Sequence, residues 1–224
     1  MGFIRFTLSL LRNSNQRKHF FRWLSSSRKD YLLSKKQPWL TFDAIDFLNS
    51  LSLVDKKIFE YGSGGSTLFW INHGAECVSI EHNQDWYRLI RSQLAGINGI
   101  DYRLALPEPA NSKEALNVAD PNLYLSEDIL YRGYNFKNYV SQIDTYPNNF
   151  FDIVLIDGRA RPACIKHSHK KIKIGGFLIL DNSDREYYLR MTSTFLYNYE
   201  QHIFRGATPE VTWFTETSIF TRKS

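Results

Sequence analysis

Cysteine is scarce: Cys77 and Cys164 are the only two in 224 residues. They cannot build a disulfide framework, and neither sits in the paired Cys/His spacing of a zinc module, so a reducing compartment is the expectation. Long apolar runs are missing too, and nothing approaches the roughly 18 uninterrupted apolar residues of a membrane span. The run Phe6 to Leu11 contains Thr7 and Ser9 and leads into basic sequence without a small-residue cleavage site. That argues against a secretory signal and for a cytoplasmic location. Also absent are a Gly-x-Ser-x-Gly elbow and a phosphate-binding Gly-Lys-Ser/Thr loop, which weakens hydrolase and NTPase readings.

What is present is enough for a packed domain. Hydrophobic residues make up 43% of the chain and aromatics 15%, so a mainly disordered protein is excluded, and the length suits one domain with an appendage. Net charge is +5, but it is unevenly spread. Residues 1–42 hold nine basic groups against Asp30 alone, whereas the remainder has a small acidic excess. The basic character therefore belongs to the N-terminal segment, and the body is not a nucleic-acid platform.

Residues 1–38 read as basic helical sequence in which Ile4, Leu8, Leu11, Phe20, Phe21 and Leu24 interleave with arginines. Two readings stand: a foot making peripheral contact with an anionic membrane, or an arm packing on its own domain or a partner. A second helix is expected over Trp39 to Leu53. From Lys57 strands and helices alternate. Strands are expected at 58–61, 77–81, 100–106, 151–156 and 177–180, with helices at 66–72, 86–94, 136–143 and 162–172. Such alternation predicts a doubly wound, Rossmann-like α/β domain over 39–224 with a mostly parallel sheet. Ser183 and Glu186 resemble a capping box opening a long helix through Tyr188, Met191, Phe195 and Tyr199. The end is antiparallel, either as a hairpin of 211–214 with 218–221 or with 201–205 as the penultimate strand. The interval 107–135 lacks periodicity and is either a lid carrying Tyr124, Tyr131 and Tyr134 or a surface insertion.

The most specific segment is Glu60-Tyr61-Gly62-Ser63-Gly64-Gly65-Ser66-Thr67. Glycines directly after a strand let a ligand approach the backbone, and the helix that follows presents free N–H groups. Nineteen residues past Gly62, Glu81 ends the next strand, where a carboxylate can accept the hydroxyls of a ribose. Thr67 stands where a dinucleotide fingerprint has its third glycine, and an acid at Glu60 suits an ammonium group better than a pyrophosphate. Both points favour a nucleoside carrying an amino acid.

These residues resemble the cofactor site of class I S-adenosylmethionine-dependent methyltransferases. The segments 151–158 and 175–182 resemble that family's fourth and fifth strands, so the likeness runs from about Trp39 to the C-terminus. The resemblance implies that Glu60 holds the cofactor's amino group, directly or through water. Gly62, Ser63, Gly64 and Gly65, with Thr67 closing the motif, would line the methionine portion. Glu81 would bind the ribose, and His82 and Asn83 would border the adenine. Asp157, Asp181 and Asn182 resemble the cation ligands of metal-dependent O-methyltransferases similar to catechol O-methyltransferase. There magnesium or calcium would lower a substrate hydroxyl's pKa, giving Asp157 a catalytic role. The sequence departs from that group at Ala160, where the subfamily carries a lysine base, and Arg159 and Arg161 flank it. An arginine suits a carboxylate, phosphate or sugar oxygen.

The resulting expectation is transfer of a methyl group to an oxygen of a small molecule or sugar. Alternatives on the same site are an aminopropyltransferase or an NAD-dependent oxidoreductase; a further one is a non-catalytic module docking to a membrane or protein.

Overall fold

The computed structural model describes residues 2–110 and 117–224; part of the 107–135 interval therefore lies outside the described residues. Three short helices come first, α1 (Phe3–Arg12), α2 (Phe20–Ser26) and α3 (Tyr31–Lys35), followed by α4 (Phe42–Asn49). The alternation then runs β1 (Lys57–Tyr61), α5 (Gly65–Asn72), β2 (Glu76–Glu81), α6 (Gln84–Gln93) and β3 (Ile100–Leu104). A two-residue pair, β4 (Glu108–Pro109) and β5 (Tyr134–Asn135), brackets the irregular interval. After it come α7 (Lys137–Ser141), β6 (Phe151–Ile156), α8 (Arg161–Ser168), β7 (Ile172–Asp181), α9 (Tyr187–Arg190), β8 (Tyr199–Gly206) and β9 (Thr215–Arg222).

Seven strands form one sheet in the order β3-β2-β1-β6-β7-β9-β8. The first five are parallel, and β9 is antiparallel to both β7 and β8. This is the expected doubly wound α/β sheet with an antiparallel C-terminal strand and an N-terminal helical region. Of the two endings, the sheet uses the one with 201–205 in the penultimate strand. The chain reverses between β1 and β6, so their carboxyl ends diverge from the connections on either side and leave a crevice there.

Period-two alternation sorts the strand side chains into two cores. Phe59, Tyr61, Val154, Ile156, Leu178 and Leu180 face α7 and α8, whereas Ile58, Cys77, Ile153, Leu155 and Ile179 face the N-terminal side. Phe6, Leu10 and Trp23 join the second core and are almost fully buried. Each contributes roughly 2 kcal/mol through the apolar surface it removes from water.

Polar ties fix the N-terminal helices to the loop between β8 and β9. The Trp23 indole donates to the Val211 carbonyl at 2.7 Å, Trp39 to Pro209 at 2.8 Å, and the Glu210 N–H donates to Ser26 Oγ at 2.8 Å. The inner face of this arm thus packs on its own domain, while Ile4, Leu8 and Leu11 stay exposed on the outside of α1.

One sequence expectation fails here. Residues 187–199 do not form a long helix: α9 spans four residues and Tyr199 already belongs to β8. Ser183 Oγ donates to Glu216 Oε1 at 2.9 Å instead of capping a helix, and pairing along the whole length of β9 draws 199–206 into the sheet.

Candidate cofactor cleft and its charged edge

At the carboxyl edge β1 gives way to the glycine turn. Gly62 has φ +92, and a Cβ there would meet Gly158 Cα at 3.0 Å, so the turn and the loop after β6 close on each other only because both residues lack side chains. A Cβ on Gly65 would lie 2.1 Å from the Gln37 carbonyl and 2.8 Å from that of Leu32. Gly65 is therefore required by the close contact between α5 and the N-terminal arm.

Glu81 is the best-defined ligand group. It sits one step beyond the last β1–β2 register pair, Tyr61 with Ile80, so its carboxylate clears the sheet edge while remaining buried. Backbone N–H groups of His82 and Asn83 donate to Oε1 at 2.8 Å each, and that of Ser63 donates to Oε2 at 3.1 Å. Its pKa is held below the ordinary value: His82 and these donors outweigh the cost of burial. His82 Nδ1 lies 2.9 Å from Oε1, and the remaining contact, Ser63 Oγ at 2.8 Å, is a rotatable hydroxyl that also lies 2.7 Å from the Tyr102 hydroxyl. A ribose hydroxyl can take that one position. His82 borders the same cleft, its ring packed among Tyr131, Phe136 and Tyr139, and Asn83 caps α6 through Asp85 and Trp86 N–H.

Glu60 does not line the cleft, so of the two routes expected from sequence, direct contact with an amino group or contact through water, the arrangement offers no direct one. It shares the strand face of Ile58 and points under α5, fully buried. Thr67 Oγ1 donates to its Oε1, Ser79 Oγ donates to the same atom at 2.7 Å, and the Trp70 indole donates to Oε2 at 3.1 Å. Burial pushes its pKa up to about 7. Thr67 faces inward as well, its Oγ1 accepting the Gly64 N–H at 3.0 Å. Glu60 and Thr67 therefore brace the glycine turn from behind.

Across the crevice the loop after β6 and the end of β7 bring Asp157, Asp181 and Asn182 to one wall, as expected from sequence. Between them lies Arg161, only 6% exposed. Its Nη2 is 3.0 Å from Asp157 Oδ1, Nε donates to the Gly158 carbonyl at 3.1 Å, and Nη1 donates to the Asp181 carbonyl. Asp181 Oδ1 accepts the Thr217 hydroxyl at 2.8 Å. Removal from water raises the pKa of both acids, and Asp181 raises that of Asp157 further while Arg161 opposes the rise. This donor set does not fit a divalent cation: a buried guanidinium already supplies the counter-charge and takes one Asp157 oxygen. The gathering of His19, Asp43 and Asp46 is neutralised in the same manner by Lys18 and Arg22.

The cleft between these walls has a volume of about 670 Å³. Its rim includes three tryptophans that sequence reasoning left unassigned, Trp39, Trp86 and Trp213. Trp86 is 37% exposed, and its indole donates to the Ser63 carbonyl at 2.8 Å. A side chamber of about 250 Å³ extends past Ser63, Gly64 and Gly65, with Asp30, Asp157 and Glu210 along it. Of the tyrosines in 107–135, Tyr131 reaches the cleft. The Tyr124 hydroxyl instead lies 3.2 Å from His167 Nε2, whose Nδ1 is 2.9 Å from Asp144. His167 is thus a strap for that loop, away from the cleft.

No family model matches the sequence, and no curated protein does. Solved structures do match. The O-methyltransferase from Bacillus cereus in complex with SAH superposes with a TM-score of 0.57 at 16% identity, covering 89% of this chain and 91% of that one. A structure from Klebsiella pneumoniae gives 0.57 at 14% identity over 87% and 89%, and cofactor-bound Rv0187 from MTB gives 0.55 at 14% over 97% and 95%. The chain has the class I methyltransferase fold. Within that fold the glycine turn and Glu81 form one wall of the crevice at the sheet's topological switch, and Asp157, Arg161 and Asp181 form the other.

Proposed function

We propose that this protein is an S-adenosylmethionine-dependent methyltransferase acting on an oxygen of a small molecule or sugar. The observation that carries the reading is Glu81: an ionised carboxylate at the sheet edge, fixed by three backbone donors and open at the position now held by the Ser63 hydroxyl. That position suits a ribose hydroxyl, and the cleft volume lies within the usual range for cofactor sites. His82 and Asn83 border the adenine end. The amino-acid end enters the side chamber, where the carboxylates of Asp30, Asp157 and Glu210 supply the negative charge that Glu60 does not.

When bound, the cofactor supplies an electrophilic methyl group. The chain's own residues bind and align. Asp157, facing both chambers, is the carboxylate placed to take the proton from an acceptor hydroxyl, and Arg161 holds it in position. Calorimetric titration with S-adenosylmethionine and with NAD tests the reading. Micromolar binding of the former is expected, weakened roughly tenfold or more in Glu81→Ala, the loss of charge-assisted hydrogen bonds. Preference for NAD, or unchanged affinity in the variant, would overturn it. Release of methylthioadenosine from decarboxylated S-adenosylmethionine, with its aminopropyl group passing to an added amine, would indicate the aminopropyl alternative.

A further inference from the structure

Beside the cofactor cleft lies a second cavity of about 350 Å³, between the segment 125–128 and the start of α9. Gly158, Arg159, Arg161 and Arg185 line both, so a molecule seated in one reaches into the other. Three guanidinium groups meet there, and they differ in one respect. Arg159 is paired with Asp128 at 2.8 Å and Arg161 with Asp157 at 3.0 Å. Arg185 has no carboxylate within ion-pair distance among the described residues; its Nη1 donates to the Tyr188 hydroxyl at 3.1 Å.

The acids of this cavity are turned to groups other than Arg185. Asp128 holds Arg159 and also accepts the Leu130 N–H at 3.0 Å, while Glu127 lies beside Tyr187. The Tyr188 ring orients the two neighbouring cations, with the Arg161 guanidinium 5.3 Å and that of Arg185 5.9 Å from its centroid. The result is a planar five-donor fork, held against an aromatic ring at the mouth of a polar cavity, with most of its donors unspent. Such a fork matches two oxygens of a carboxylate or phosphate.

We propose that this cavity binds an oxyanionic group of the methyl acceptor, with Arg185 as the residue that selects for it. The inference rests on the methyl-transfer reading only for the identity of the molecule that carries the anion; the anion site itself stands on the arginine geometry. A neutral sugar or a plain phenol would leave the fork to water, whereas a hydroxy acid or a phosphorylated sugar would use it and place its hydroxyl toward Asp157.

Full-length protein, with and without S-adenosylhomocysteine, is titrated with inorganic phosphate and separately with acetate, with ionic strength held constant by chloride, and the heat of binding is read. One of the two anions is expected to saturate, and the one that saturates at lower concentration identifies the group as phosphate or carboxylate. Affinity should fall roughly tenfold or more in Arg185→Gln, be partly kept in Arg185→Lys, which retains the charge but not the fork, and stay as it is in Arg12→Gln on α1. A readout free of variants is protection of Arg185 from phenylglyoxal by the bound anion, followed by mass spectrometry. Absence of saturation by either anion, or anion binding unaffected by Arg185→Gln with no protection, would overturn the proposal. Anion binding without cofactor binding would defeat the methyl-transfer reading alone; cofactor binding without anion binding would defeat this inference alone.

Discussion

Glu81 on the glycine-turn wall of the crevice and Glu60 behind it touch no lysine or arginine among the described residues; their carboxylates are met by hydroxyls, an indole, the His82 imidazole and backbone N–H groups. On the opposite wall a buried guanidinium, that of Arg161, pairs with the Asp157 carboxylate and donates to the backbone carbonyl of Asp181. The first wall is built to accept donors, one of them replaceable by a ligand hydroxyl. The second carries a fixed positive charge, which sets the local field without a metal ion.

Removing that charge should break the contrast with the largest effect. Arg161→Met leaves two neighbouring acids uncompensated and should cost about 3–5 kcal/mol in urea unfolding at pH 7. Adding Asp157→Asn to Arg161→Met should recover part of the loss; no recovery would mean that Arg161 acts by packing alone. On the other wall, Glu60 should make stability depend on pH. Its folded pKa of about 7 exceeds the ordinary 4.5, so between these values the folded state keeps a proton that the unfolded state has lost. Stability therefore falls as pH rises through that window, by about 3 kcal/mol at most, and levels off above it. Glu60→Gln should flatten that part of the profile, as read from denaturation midpoints between pH 4.5 and 8.

Smaller effects sharpen the picture. Gly65→Ala should destabilise by about 1–3 kcal/mol, because its methyl group would collide with two carbonyls of the arm, whereas Gly64→Ala, whose nearest neighbour would be Trp86 at 3.7 Å, should be far milder. Ser63→Ala should change stability by about 1 kcal/mol or less and leave the Glu81 position open to a ribose, so cofactor affinity should hold or rise.

The order of strands, the glycine turn and Glu81 were legible because each leaves a local signature: a change of hydrophobic period, glycines at a strand end, an acid one register step past the neighbouring strand. The orientation of Glu60 was legible in principle too, since it falls on the same strand face as Ile58, but the attraction of an acid to an ammonium group outweighed that count. Arg185, Trp39 and Trp213 carried no such signal. They reach the cleft from three separate loops whose courses are set by tertiary packing. The long helix expected after Ser183 failed for a related reason: apolar spacing of three and four was present, but an open strand edge offered 199–206 more hydrogen bonds than an isolated helix could.

The indoles at 23 and 39 find their carbonyl partners at 211 and 209, separations of 188 and 170 positions along the chain. The apolar inner faces of these helices are therefore covered only when a segment far along the chain has folded against them. Molecules in which residues 209–214 fail to dock would display Phe6 and Trp23 to chaperones and proteases, a quality check that follows from chain geometry alone.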